Sequence, residues 1–285
     1  MRSIDDSNDG RLSTTLLFLA ALALLLVPLA LFVNAAGSSS FPAGANVTND
    51  APTVAVDAGQ TIVSQASGSA SVYVYFNATD TNGRDDLNDT TALLNITKAS
   101  NTDRSGSCTY TNVSANTKRY NCTLTLWYYD ESGSWSINAT IKDNSGNTVS
   151  NTAVTLSVSV VDSVTVVKTS IGFSGSPGTS NIGATQNPQQ LNNTGNQVYA
   201  SINITGFNFT SGGNIIGVSN ARVNVSSSSG AGQSLSNAAD VTVTGASLSR
   251  GQGNTQNFYF YLDIPGGQAA GTYSAQTDWV LKAIQ

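Results

Sequence analysis

The sequence predicts an all-β protein of two tandem β-sandwiches following one N-terminal hydrophobic helix. Three observations support this. Several segments after residue 50 alternate apolar and polar residues with a period of two, which places one set on a core face and the other in solvent. These segments are short and are separated by Gly, Asn, Asp and Ser turns. Beyond residue 40 no segment carries a helical period.

Residues 1–36 form the exception. Leu16 to Val33 is uninterrupted apolar sequence containing Pro28; Arg2 and Arg11 precede it and Ala35, Ala36 and Gly37 follow. A charged start, an apolar stretch and small residues describe a secretory signal. As an uncleaved helix the same 18 residues would span about 27 Å, enough for a membrane anchor, and Arg11 would hold the short N-terminus inside. Both readings stand, and both put the remaining chain outside the cell. Residues 37–50 (GSSSFPAGANVTND) read as a flexible linker.

The first sandwich is expected over 51–162. There Val72, Val74 and Phe76 alternate with polar-face residues, as do Tyr120, Cys122, Leu124 and Leu126, and Trp135, Ile137, Ala139 and Ile141. The run Thr152 to Val167 ends one unit and begins the next, with a hinge near Asp162-Ser163. The second sandwich, 163–285, is expected to use strands at Val198–Thr205, Ala221–Val225, Asn257–Asp263 and Thr272–Lys282.

Composition narrows the function. Only 10% of residues are charged, against about 25% in typical soluble proteins. Asn, Ser and Thr number 29, 38 and 32, so the polar surface is largely uncharged. The 12 Lys and Arg are scattered and give no basic face for nucleic acid. With no His, the Ser-His-Asp and Cys-His mechanisms and His-ligated zinc lack their imidazole. Glycoside hydrolysis needs paired carboxylates, yet Asp240, Asp263 and Asp278 have no acidic neighbour, and Asp130 and the single Glu, Glu131, sit in what reads as a solvated hairpin turn. A non-enzymatic role is expected.

Cys108 and Cys122 lie symmetrically about Ala115. A hairpin turning there sets Cys108 opposite Cys122 and Tyr110 opposite Tyr120, which predicts a disulfide in an exported chain. Eleven Asn-x-Ser/Thr sequons occur, at Asn46, Asn77, Asn88, Asn95, Asn112, Asn121, Asn138, Asn192, Asn203, Asn208 and Asn224; chance alone would give about seven. Asn77, Asn121, Asn138, Asn203, Asn208 and Asn224 fall on the polar faces of their strands, so a glycan there would leave the core undisturbed. The loop Asp80-Thr-Asn-Gly-Arg-Asp-Asp-Leu87 gathers Asp80, Asn82, Asp85 and Asp86, and the Asp143–Asn147 turn adds oxygens if it lies nearby. A turn held by Asx hydrogen bonds is the favoured reading. Calcium, which takes six to eight oxygens, is the alternative and the sole candidate cofactor.

The DTNGRDDL loop, the Trp127/Trp135 strands and the DNSGN turn give residues 51–162 a resemblance to immunoglobulin-like and PKD-like sandwiches of archaeal-type surface proteins. Leu191-Asn-Asn-Thr-Gly-Asn196 followed by Val198, Ala200, Ile202 and Ile204 is similar to CARDB-like adhesion modules. The resemblance implies a surface or adhesive protein and carries over no catalytic residue. The expected function is therefore an exported cell-surface glycoprotein with a structural or adhesive role. Its partners would be other surface proteins or glycans, and the membrane itself if the helix is kept. A subunit of an extracellular filament or pilus, joined to neighbouring subunits through the apolar segment or an exposed strand edge, is the alternative. A glycan- or small-ligand-binding module presenting Tyr73, Tyr75, Tyr128 or Tyr129 is a second alternative.

Overall fold

The computed structural model describes residues 42–57, 61–62, 66–99, 101–228, 230 and 232–285. The expected signal or anchor helix lies outside the described residues. The chain divides into two compact units, Met1–Thr48 and Asn49–Gln285. Of the first, residues 42–48 are described; they are exposed and without regular structure. The second is all-β, with no α-helix among its described residues, and is compatible with an immunoglobulin-like sandwich.

Its N-terminal half contains β1 (Thr53–Val56), β2 (Thr61–Ile62), β3 (Ser69–Thr79), β4 (Leu87–Thr97), β5 (Arg104–Asn112), β6 (Thr117–Trp127), β7 (Gly133–Asp143), β8 (Thr148–Asn151) and β9 (Thr155–Val158). They join in the order β1-β3-β6-β5-β4-β7-β9-β2, with β8 beside β7. β5 is the corner: residues 107–112 pair with β6, while residues 104–106 pair with β4. Gly106 marks the crossing, where a Cβ would stand 2.9 Å from the Thr123 carbonyl oxygen. The two faces thus close on one core of Val72, Val74, Phe76, Leu94, Ile96, Tyr120, Leu124, Leu126, Trp135, Ile137, Ile141 and Leu156, among others. The three alternating segments of the sequence bury the residues that their period selects.

The hairpin joining β5 and β6 turns where the cysteine symmetry placed it. Cys108 faces Cys122 and Tyr110 faces Tyr120 in the ladder. The disulfide is formed, and the two tyrosine rings lie 6.0 Å apart beside it.

The C-terminal half is built from shorter pieces: β10 (Val164–Val166), β11 (Ile182–Gly183), β12 (Gln189–Asn193), β13 (Ser201–Thr205), β14 (Phe209–Ser211), β15 (Asn214–Ile216), β16 (Ala221–Asn224), β17 (Gln233–Ser234), β18 (Asp240–Thr242), β19 (Thr255–Leu262), β20 (Ser274–Ala275) and β21 (Val280–Ile284). The order β10-β12-β19-β16-β17, with β11 also on β19, makes the main sheet; β18-β13-β21 and β15-β14-β20 make two small ones. A second core gathers Leu191, Tyr199, Ile202, Ile204, Val218, Val223, Leu248, Phe258 and Phe260.

Two details differ from the sequence reading. The segment 272–282 is not one strand. It pairs with β14 at Ser274 and Ala275, bends, and pairs with β13 from Val280. Between these pairings Trp279 packs 5.4 Å from Phe209 and 5.9 Å from Phe260, and changing sheets is what brings it there. At the start of β13 the phase shifts. Val198 is exposed while Tyr199 is buried, because a bend at Ala200 precedes the strand that buries Ile202 and Ile204.

Among the described residues the halves meet through hydrogen bonds and one ion pair. Ser67 N donates to Thr194 O (2.9 Å), Gln197 Nε2 to Ser132 Oγ (3.2 Å), and Arg250 pairs with Glu131 at 2.9 Å. Beneath this joint the buried Asn196 grips the connector, accepting from Val161 N and donating to Ser159 O, both at 2.8 Å.

Candidate functional site

The end of β3, the loop after it and the β7–β8 turn lie together at one end of the N-terminal half. Asp80 closes β3, and its Oδ1 accepts the Asn82 amide at 2.8 Å, the local Asx bond that starts the turn. A 3₁₀ turn at Arg84–Asp86 follows and presents Asp86. Asp143 ends β7. Its Oδ1 accepts Asn147 N and its Oδ2 accepts Asn147 Nδ2, each at 2.8 Å. The loops are tied directly, since Asn144 N donates to Asp86 O at 2.8 Å and Asn144 Nδ2 to Asp85 O at 3.0 Å.

This folding brings one carboxylate oxygen from each of Asp80, Asp86 and Asp143 within 4.8 Å of one another. Like charges at that spacing repel by roughly 3 kcal/mol per pair at an effective dielectric near 20. Asp80 has no exposed surface, and its Oδ2 has no hydrogen-bond partner. Burial raises its pKa above the ordinary carboxylate value and the charges of Asp86, Asp143 and Asp50 add to this, against the lowering effect of the Asn82 amide. At Asp143 burial acts in the same direction, but hydrogen bonds from Asn147 and Asn49 outweigh it and hold the pKa low.

Of the four residues read from the sequence as possible calcium ligands, Asp80 and Asp86 enter the cluster. Asn82 turns its side-chain oxygen to the Asp50 amide at 2.8 Å. The Asp85 side chain is 94% exposed and lies 3.7 Å from Arg84, whose guanidinium also donates to Ser114 O at 3.0 Å. The positive charge within the loop is thus spent on Asp85 and Ser114, and Arg84 forms no ion pair with the three carboxylates. Asp143, which the sequence offered only conditionally, is the third member, and Asn49 reaches it with a 2.8 Å bond.

Among the sequons, Asn46 and Asn112 are exposed and the other nine are intermediate; none is fully buried. Asn88 and Asn138 accept hydrogen bonds from their own sequon threonines, Thr90 at 2.7 Å and Thr140 at 3.2 Å. The side-chain oxygens of Asn95, Asn121 and Asn192 are covered and unpartnered, and Asn95 stands directly opposite Asn138 in the β4–β7 ladder.

The tyrosines considered for ligand binding are divided. Tyr73 is half exposed. Arg119 lies over the Tyr75 ring at 4.8 Å. Tyr129 stacks with Trp127 and meets Tyr128 edge-on.

The acidic turn Asp130-Glu131 is not solvated as the sequence suggested. Asp130 is buried and accepts from Arg104 Nη2 (2.6 Å), Arg104 Nε (3.1 Å) and Trp127 N (2.7 Å). Glu131 meets Asn101 Nδ2 (2.9 Å), Lys98 (3.5 Å) and Arg250 (2.9 Å). Apart from Trp127, these partners are distant in sequence, Arg104 on β5 and Lys98, Asn101 and Arg250 outside the strands, and no signal near the turn reveals them.

The sequence matches no protein-family model and none of the curated proteins. Two solved structures align over much of the chain at very low similarity. One is the secreted serine protease VesC from Vibrio cholerae, with 11% identity, TM-score 0.21, 78% of this chain and 50% of that one. The other is a marsupial T cell receptor, with 9% identity, TM-score 0.24, 77% of this chain and 88% of that one. This chain thus spans about half the length of the VesC chain.

Proposed function

We propose that the protein is an exported, non-enzymatic glycoprotein of the cell surface, built of two tandem β-sandwiches and serving a structural or adhesive role. The observation that carries this reading is the placement of the sequons. Ten of the eleven asparagines are spread over both halves, and none of the eleven is buried, while strand neighbours of several form the cores, as Ile137 and Ala139 do around Asn138. An uncharged Asn/Ser/Thr surface and a cross-strand disulfide suit the same extracellular setting. The test is the intact mass and glycopeptide map of the native protein, taken separately from membranes and medium. A species heavier than its 29.4 kDa chain by several glycans is the expected result. An unmodified cytoplasmic species would overturn the proposal.

A further inference from the structure

We propose that Asp80, Asp86 and Asp143 form a calcium site that pins the chain entering β1 to the two loops at this end of the sandwich. The spacing is the first reason. Oxygens on one calcium ion sit 2.3–2.6 Å from it, so two of them are separated by at most about 5 Å; the three carboxylates already meet that limit at 4.8 Å. The second reason is independent of the clustering. Asp80 Oδ2 is fully buried and receives no hydrogen bond, a condition that native proteins avoid unless a cation or another donor completes it. The third is charge. Among the described residues no Lys or Arg forms an ion pair with any of the three, and Arg84 is engaged by Asp85 and the Ser114 carbonyl.

The donor set selects the ion. It offers oxygen alone, without nitrogen or sulfur, which disfavours zinc and copper. Carboxylates drawn from separate segments suit calcium's irregular coordination better than the strict octahedron of magnesium. The rim extends to the chain just before β1. Asn49 Nδ2 holds Asp143, the Asp50 amide donates to Asn82, and the Asp50 carboxylate accepts from Thr81 at 3.1 Å. A cation here therefore orders residues 49 and 50 along with the two loops. Affinity in the 10⁻⁴–10⁻³ M range of extracellular modules is expected.

The test uses the full chain, stripped with chelator and titrated with calcium chloride or magnesium chloride at constant ionic strength. Melting temperature, heat of binding and amide hydrogen exchange are the readouts. Calcium at ten times its Kd is expected to raise the melting temperature by about 3–6 °C and to slow exchange at the Asp50 and Asn82 amides, with a much smaller effect from magnesium. Asp80→Asn is expected to abolish the response while melting no lower than the calcium-free wild type, and Asp85→Asn to keep it. If Asp80→Asn does not fold, Asp86→Asn serves the same purpose. The proposal is overturned if the wild type does not respond to calcium, if magnesium acts equally, or if the foldable cluster variant responds as the wild type does.

Discussion

Asp130 gives the sharpest test of how the N-terminal half is held together. Its side chain is 3% exposed and that of Arg104 18%, and the carboxylate accepts from three donors, the guanidinium Nε and Nη2 and the Trp127 amide. Asp130→Ala removes all three and strands a largely buried guanidinium. Breaking a buried pair in this way costs about 3–5 kcal/mol; the residual exposure of Arg104 places the expected loss near 3 kcal/mol. Replacing both partners removes the stranded charge. Arg104→Met, destabilising in the wild type, is thus expected to recover about 1–2 kcal/mol when added to Asp130→Ala, the Trp127 amide remaining unpaired. Equilibrium urea unfolding of the four proteins, followed by circular dichroism and tryptophan fluorescence, measures the cycle. A loss below 1 kcal/mol for Asp130→Ala, or an Arg104→Met effect of the same sign and size in both backgrounds, would refute the reasoning.

Further outcomes are expected elsewhere. Replacing Cys108 and Cys122 by Ser frees a loop whose ends are 14 residues apart and should lower stability by about 3 kcal/mol, read as a shift of the urea midpoint; no shift would mean that the unfolded hairpin stays closed without the bond. Gly195→Ala drives a Cβ into the Val161 carbonyl oxygen, so the connector must move, and a loss of about 2 kcal/mol or more is expected; wild-type stability would contradict the close approach. Glu131 has its pKa lowered chiefly by the Asn101 hydrogen bond, aided by Arg250 and Lys98. Its stabilisation is therefore complete above the unfolded value near 4.3 and lost as pH falls through the lower folded value. Glu131→Gln should flatten that acid limb of the stability profile, and an unchanged limb would count against the pairing. In glycopeptide mapping, the exposed Asn46 and Asn112 should show the highest occupancy and the covered Asn95, Asn121 and Asn192 the lowest; the reverse order would contradict the surface geometry.

The sequence was most legible where strands are long. β3, β6 and β7 each run 11 residues, enough for the period-two pattern to stand out, and the cysteine spacing fixed the β5–β6 register because a tight hairpin leaves one symmetric pairing. The C-terminal half was harder because most of its strands are two to five residues long. Alternation over so few positions tolerates a phase slip such as that at Val198–Tyr199, and it hides the sheet change inside 272–282. The acidic cluster was half visible: Asp80 and Asp86 share a loop, whereas Asp143 joins only because β4 and β7 pair with Leu87 opposite Asp143. The environment of Asp130 and Glu131 was invisible for the same reason, since Arg104 and Arg250 reach them through tertiary packing.

The cross-strand disulfide also governs how the chain responds to load. A protein tethered at one side of the β5–β6 hairpin and pulled from the other cannot pay out the residues between Cys108 and Cys122. About 45 Å of contour is thereby withheld from extension. Tension passes through the sulfur bridge into β6, whose 11-residue ladder with β3 runs from Thr79–Thr117 to Ser69–Trp127. In a pulling experiment the N-terminal half would lengthen by this increment only after reduction, making the bond a covalent stop against mechanical stretching.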